Sequence, residues 1–131
     1  MKDFICEDFQ QSVSELLIRH KSILDIITKL EESQARVNRA VVKAVTSCGC
    51  IEVNATKQQI PPDADIKDLK DCMSPHIQGE LCESCKDIIE KEIGNNIFYT
   101  TSLCNILDIK LHDVLAKEYE KIKTLGIYNM F

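Results

Sequence analysis

The sequence predicts an all-α protein: a helical bundle with a long N-terminal helix or helix pair, linked through a cysteine-stapled connector to further helices. Three observations lead there. Apolar residues recur every three or four positions over most of the chain, the spacing that keeps one face of a helix apolar. Turn formers are scarce, with 4 Gly and 3 Pro in 131 residues, and most fall in one stretch. Aromatic residues, which favour strands, make up only 5% of the chain.

The first element follows from Val13, Leu16, Leu17, Ile23, Leu24, Ile27, Leu30, Val37, Val41, Ala44 and Val45. No Gly or Pro interrupts the run from Asp8 to Ser47, so it reads as one helix about 55 Å long at about 1.5 Å per residue, or as two helices joined near Thr28 to Ser33. His20 and Gln34 are the polar interruptions in its stripe. Residues 48–79 form the connector, which holds Gly49, Pro61, Pro62, Pro75 and Gly79. A short strand is expected at Ile51 to Val53 and a short helix within "PDADIKDLKDCM". So long a connector needs something to hold it. The next main helix starts around Glu80 to Glu83 and runs to about Leu107, with Ile89, Ile93, Ile97, Cys104 and Leu107 near multiples of four. Asp108 is a turn or N-cap residue for a last helix carrying Leu111, Val114, Leu115, Tyr119 and Ile122, which Gly126 stops. Residues 1–131 read as a single all-α domain.

Composition narrows the function classes. The hydrophobic content of 44% and charged content of 28% belong to a folded chain. A net charge of -5, with no basic run, argues against nucleic acid and against docking on an acidic membrane. No run reaches the roughly 18 apolar residues of a membrane span. The acidic opening "MKDFICEDFQ" has no apolar core of a signal peptide, so a cytoplasmic location is expected. There, 7 cysteines stay reduced, and an odd count fits a disulfide framework badly. Histidines 20, 76 and 112 lie on different elements and suggest no nucleophile–base pairing.

Four of the cysteines are paired. Cys48-Gly-Cys50 closes the long helix, and Cys82-x-x-Cys85 opens the next. Two thiol pairs at the ends of one connector match the four closed ligands of a structural Zn²⁺. A helix N-terminus favours thiolates at the second pair, and Gly49 lets the backbone fold back at the first. Cys72 and His76 are reserve ligands. Small buried packing positions or a redox pair are the competing readings of the four. Cys6, Cys72 and Cys104 read as packing residues.

"EKEIGNNIFYTTSLCNILDIKLHDVLAKEYEKIKTLG" resembles the C-terminal half of the MazG-like, all-α nucleotide pyrophosphohydrolases. Glu92-Ile-Gly-Asn95, followed by Asn96-Ile97-Phe98, is similar to that family's Glu-x-x-Asp motif and its apolar pair. "LCNILDIKLHDVLAKEYEK" resembles the segment that follows it, and "KLEESQARVNRAV" the first acidic motif, Glu-Glu-x-x-Glu. The likeness covers about half of the chain. It implies acidic residues on two antiparallel helices that hold Mg²⁺ against a nucleoside triphosphate, with Glu32 and Glu92 in catalytic roles and Glu31, Gln34 and Asn95 completing the cofactor site. Glu80 and Glu83 offer another register for the first motif, from "GELCES". Glu83 and Glu92 would, however, point to opposite sides of one helix, which favours Glu31 and Glu32.

The chain departs from the family at two places: Asn95 stands where the motif has Asp, and Gln34 or Ala35 where it has a second Glu. Each swap removes a negative charge from a Mg²⁺ site, so weak or absent turnover is expected. Two functions follow: a MazG-like pyrophosphohydrolase-related protein, or a non-enzymatic, zinc-stapled helical module for protein interaction or oligomerisation. In both, the stripe from Val13 to Val45 calls for a homodimer or higher homo-oligomer, because one chain cannot cover it.

Overall fold

The computed structural model describes residues 2–17 and 21–126; His20, expected to interrupt the first stripe, lies outside them. The elements are α1 (Lys2–Leu16), α2 (Ile23–Lys43), a π-helical turn (Ala44–Cys48), β1 (Ile51–Val53), α3 (Leu69–Cys72), β2 (Ile77–Gly79), α4 (Glu83–Ile106) and α5 (Leu111–Leu125). The fold is all-α, with one small two-stranded ribbon between α2 and α4.

The long N-terminal run is a helix pair, and its break lies earlier than Thr28 to Ser33. Ser22 is the reason. Its backbone is extended (φ -66°, ψ 138°) and its hydroxyl accepts a hydrogen bond from Leu24 N at 3.2 Å, so a new helix is capped there. Asp25 in the first turn and Lys43 in the last complement the helix dipole. The stretch from Thr28 to Ser33 is continuous helix; the Thr28 and Ser33 hydroxyls donate back to carbonyls of the preceding turn without breaking it.

Helices α2 and α4 pack as an antiparallel hairpin. Along α2 and into the π turn, Ile26, Leu30, Ser33, Val37, Ala40 and Ala44 recur at alternating steps of four and three, and all are buried or half-buried. On α4, the half-buried residues Cys85, Ile89, Glu92 and Asn96 follow the same rhythm, while the residues between them are exposed. This is the seam of two helices crossing at a shallow angle. Ala40, Ala44 and Ser33 are small, which lets the backbones approach. One polar pair fixes the register: Asn96 Nδ2 donates to Ser33 Oγ at 3.1 Å, and Ser33 donates onward to Leu30 O at 2.7 Å. Ser33 is 1% exposed, so a slip of one turn would strand that hydroxyl.

α1 packs on the far end of α4 and on α5, burying Val13. Gln10 locks this junction. Its amide donates to Asn105 Oδ1 (2.9 Å) and Ile109 O (2.8 Å), and its oxygen accepts from Leu111 N (2.8 Å), the first residue of α5. Asp108 is the turn residue between α4 and α5, at φ +57°, whereas the N-cap position falls on Lys110, which makes no side-chain cap. Gly126 ends α5 with a positive φ, as its sequence position implies. Among the described residues no helix is long and apolar enough to cross a membrane.

Candidate metal centre and its helical hairpin

The cysteines meet where the hairpin closes. α2 widens into the π turn, and Gly49 then adopts φ +79°, its N–H bonded to Ala44 O at 2.9 Å. That reversal turns Cys48 and Cys50 toward the same side and leads into β1. β1 pairs antiparallel with β2, in the register Ile51 with Gly79, Glu52 with Gln78 and Val53 with Ile77. The ribbon thereby delivers the chain from Gly79 to Cys82, which caps α4: its sulfur accepts from Cys85 N at 3.4 Å.

The four sulfurs of Cys48, Cys50, Cys82 and Cys85 all lie within 4.8 Å of one another. Cys48 Sγ and Cys82 Sγ are 3.8 Å apart. A regular tetrahedron of sulfurs with Zn–S bonds of about 2.3 Å has edges of about 3.8 Å, so the donor set fits a tetrahedral thiolate-bound metal in number, chemistry and spacing. Among the described residues this is the single group of three or more Cys, His, Asp or Glu side chains gathered closely enough to bind a metal. Cys72 and His76 stay outside it. His76 instead contacts Gln58 at 3.3 Å, and Gln58 forms a two-way bridge to Ser74 (2.8 Å each way) that ties down the connector. Of the remaining cysteines, Cys104 is buried, which raises its pKa, and Cys6 and Cys72 are half-buried.

The thiols bias one another. The Cys85 backbone N–H, and then its thiol, hold Cys82 down at about 7, while the Cys82 sulfur pushes Cys85 up to about 12. Cys82 is therefore the thiol of the pair that ionises first, and a bound metal has the Cys85 proton to displace. Because binding displaces thiol protons, zinc affinity is expected to fall as pH drops from about 8 to about 5, by up to about tenfold per pH unit for each proton displaced. Zinc release to a chromogenic chelator across that range measures it; a flat profile would contradict thiolate ligation.

The sequence position of Gly79 does not single it out for this centre, yet the close pairing of β2 with β1 next to Cys50 depends on it. Its φ is +87°, and a Cβ there would lie 2.5 Å from the Cys50 carbonyl oxygen. The signal was the short spacing from Gly79 to Cys82 opposite a Cys-x-Cys, which forces two backbones close together. Gly79→Ala is expected to cost at least about 1–3 kcal/mol, from the unfavourable backbone region and the displaced carbonyl. A urea midpoint unchanged by this substitution would show that the β1–β2 pairing beside Cys50 has slack.

The acidic residues are arranged differently. Glu31 and Glu32 are exposed on α2, and Glu32 is engaged by Lys29 (3.6 Å) and Arg36 (3.4 Å). Gln34 bonds to Asn38 at 3.1 Å, along the same helix. Glu92 is half-buried on the seam, with no hydrogen bond or ion pair to another described side chain. Asn95 is exposed, and it is Asn96 that turns toward α2. The Ser33–Asn96 bond nonetheless sets Gln34 at the height of Asn95 along the hairpin, with Glu31 and Glu32 up to a turn farther from the cysteines and Glu92 about a turn nearer them. The carboxylates of Glu31, Glu32 and Glu92 do not converge into one metal-binding group within the chain. Glu80 and Glu83 are exposed at the cysteine end, away from that level. Comparison with family models, curated proteins and solved structures returns no match for this chain.

Proposed function

We propose that the chain is a MazG-like nucleotide-binding protein with an incomplete acidic site, whose helical hairpin is stapled by Zn²⁺ at Cys48, Cys50, Cys82 and Cys85. Zinc supplies no chemistry to a substrate here; four thiolates close its coordination and leave it a structural ion. The observation that carries the nucleotide reading is the hairpin register. The Ser33–Asn96 bond brings the "LEESQ" stretch of α2 beside the "EIGNN" stretch of α4, where the family resemblance needs its two motifs to meet.

Glu92 is the carboxylate best placed to meet a cation, being half-buried and unpaired among the described residues. Asn95 and Gln34 offer carbonyl oxygens without charge. Such a set holds Mg²⁺ poorly by itself, so the ion arrives with the triphosphate and turnover is slow or absent. The test is pyrophosphate release and nucleotide binding across a panel of nucleoside triphosphates, with Mg²⁺ or Mn²⁺. Binding that requires the divalent ion supports the reading. No binding to any nucleotide at millimolar concentration overturns it.

A second reading has its own observation. Glu32 is already paired with two cations on its own helix, as solvated surface charges are. On that reading the hairpin is a zinc-stapled interaction module without catalysis, and the same panel gives a null result with full zinc occupancy.

A further inference from the structure

The closed end of the hairpin presents its four thiols unequally. Cys48 is exposed, whereas Cys50, Cys82 and Cys85 are half-buried. Cys48 ends the π turn and Cys82 caps α4, so the two stand on opposite arms of the hairpin, 34 positions apart in the sequence. Their sulfurs are nevertheless 3.8 Å from each other. A disulfide needs sulfurs about 2.0 Å apart, which leaves this pair about 1.8 Å to close. Cys50 turns its sulfur toward the Ala44 carbonyl oxygen instead, at 3.8 Å. A thiol that ligates a metal is deprotonated, and the thiolate is the nucleophilic form of cysteine. In a centre of four such ligands, an oxidant reaches first the sulfur that solvent reaches, which here is Cys48.

We propose that the cysteine centre is a peroxide-responsive zinc switch, in which oxidation joins Cys48 to Cys82 and releases the ion. The switch rests on the zinc reading above. The Cys48 thiolate attacks hydrogen peroxide, the O–O bond breaks, and Cys48 becomes a sulfenic acid as hydroxide leaves. The Cys82 thiolate then attacks the Cys48 sulfur, the S–O bond breaks, and a second hydroxide leaves. The two thiolates have lost two electrons and the peroxide has gained them; two protons from solvent convert both hydroxides to water. Cys50 and Cys85 cannot close a four-ligand site by themselves. They take up protons, and Zn²⁺ departs.

The new bond ties the end of the π turn to the N-cap of α4, the same two points that the metal ties. The hairpin end is thus held in both states, by the ion or by a covalent link that closes the connector into a loop. A Cys82–Cys85 disulfide would act differently. It closes within the first turn of α4 and leaves the two arms untied.

The test starts from the reduced, zinc-loaded full chain, whose metal content is measured first. Hydrogen peroxide added with a chromogenic chelator should release zinc at least about tenfold faster than the chelator alone. Peptide mass mapping without reductant should find Cys48 joined to Cys82, with one disulfide per zinc released. Dithiothreitol with added zinc should restore the loaded chain. The oxidised, zinc-free chain should unfold at a higher urea concentration than the chelated, reduced one. Cys72→Ser, outside the cluster, should change none of this. A chain that carries no zinc before peroxide is added overturns the zinc reading and the switch with it. Zinc retained with its thiols intact in excess peroxide overturns the switch alone. Release through a Cys82–Cys85 or Cys48–Cys50 bond, or with sulfinic acids and no disulfide, overturns it as well.

Discussion

Cys82→Ser should abolish high-affinity zinc binding while leaving the start of helix α4 intact. The two effects separate because Cys82 does two jobs. Its sulfur is one of four clustered thiols, and it also accepts the Cys85 N–H as the helix N-cap. Serine is a good N-cap but a poor zinc ligand, so the cap survives and the metal site loses a corner. Three remaining thiols leave a position open to water, and affinity should fall by at least about a thousandfold, given how much of a small zinc site's stability is metal binding. The hairpin end should then loosen, with faster amide exchange in β1, β2 and the connector, while the Ser33–Asn96 level stays protected. Cys72→Ser is the control, since Cys72 stands outside the cluster. One zinc per chain retained in purified Cys82→Ser, measured by elemental analysis, would sink the assignment.

The helices were legible because their signals are local. The apolar rhythm of α2, α4 and α5, the Pro and Gly of the connector, Gly126 at the end of α5 and the strand at Ile51 are all read from neighbours in sequence. The misplaced break came from a weak signal. Ser22 precedes an apolar run as an N-cap does, but serine also occurs inside helices, and only its extended backbone shows which role it has. The π turn at Ala44–Cys48 has no signal in the sequence; Gly49, which follows it with a left-handed backbone, is the one local mark of where the helix ends. The Val13 to Val45 stripe is legible only in part. Ile26, Ala40 and Ala44 are covered by α4 of the same chain, whereas Leu24, Ile27, Val41 and Val42 face outward. Periodicity shows that a face is apolar, not which neighbour covers it.

The same division runs through the site. Two cysteine pairs with tight spacing at the ends of one connector constrain each other strongly, so the cluster could be read directly from the sequence. A carboxylate gives no such constraint. Glu31, Glu32 and Glu92 are residue types that a solvated helix face also uses, and only packing shows Glu92 on the seam and Asn95 beside it. Asn96, adjacent to the expected ligand, fixes the register instead. Its role depends on a serine 63 positions away, which no local pattern reveals.

Substituting Glu92 should have the largest effect on nucleotide binding, and changing Asn95 the opposite one. Glu92→Gln keeps the size and the hydrogen-bonding capacity but removes the charge from the one half-buried carboxylate of the hairpin. Mg²⁺-dependent triphosphate binding should fall by more than about tenfold, since a unit charge a few ångströms from the ion is worth about 1–4 kcal/mol near a protein surface. Asn95→Asp adds a charge one turn away on the same face and should strengthen that binding by about tenfold by the same reckoning. Glu32 must leave Lys29 and Arg36 to take part, but exposed pairs of that kind are worth at most about 1 kcal/mol, so they do not block it. Arg36→Ala should therefore help slightly. Titration calorimetry with a non-hydrolysable triphosphate and Mg²⁺ reads all three variants. If Glu92→Gln and Asn95→Asp both bind like the unaltered chain, the carboxylates are surface charges, and the α2–α4 hairpin is a scaffold held by its packed seam and its cysteines, with no nucleotide site.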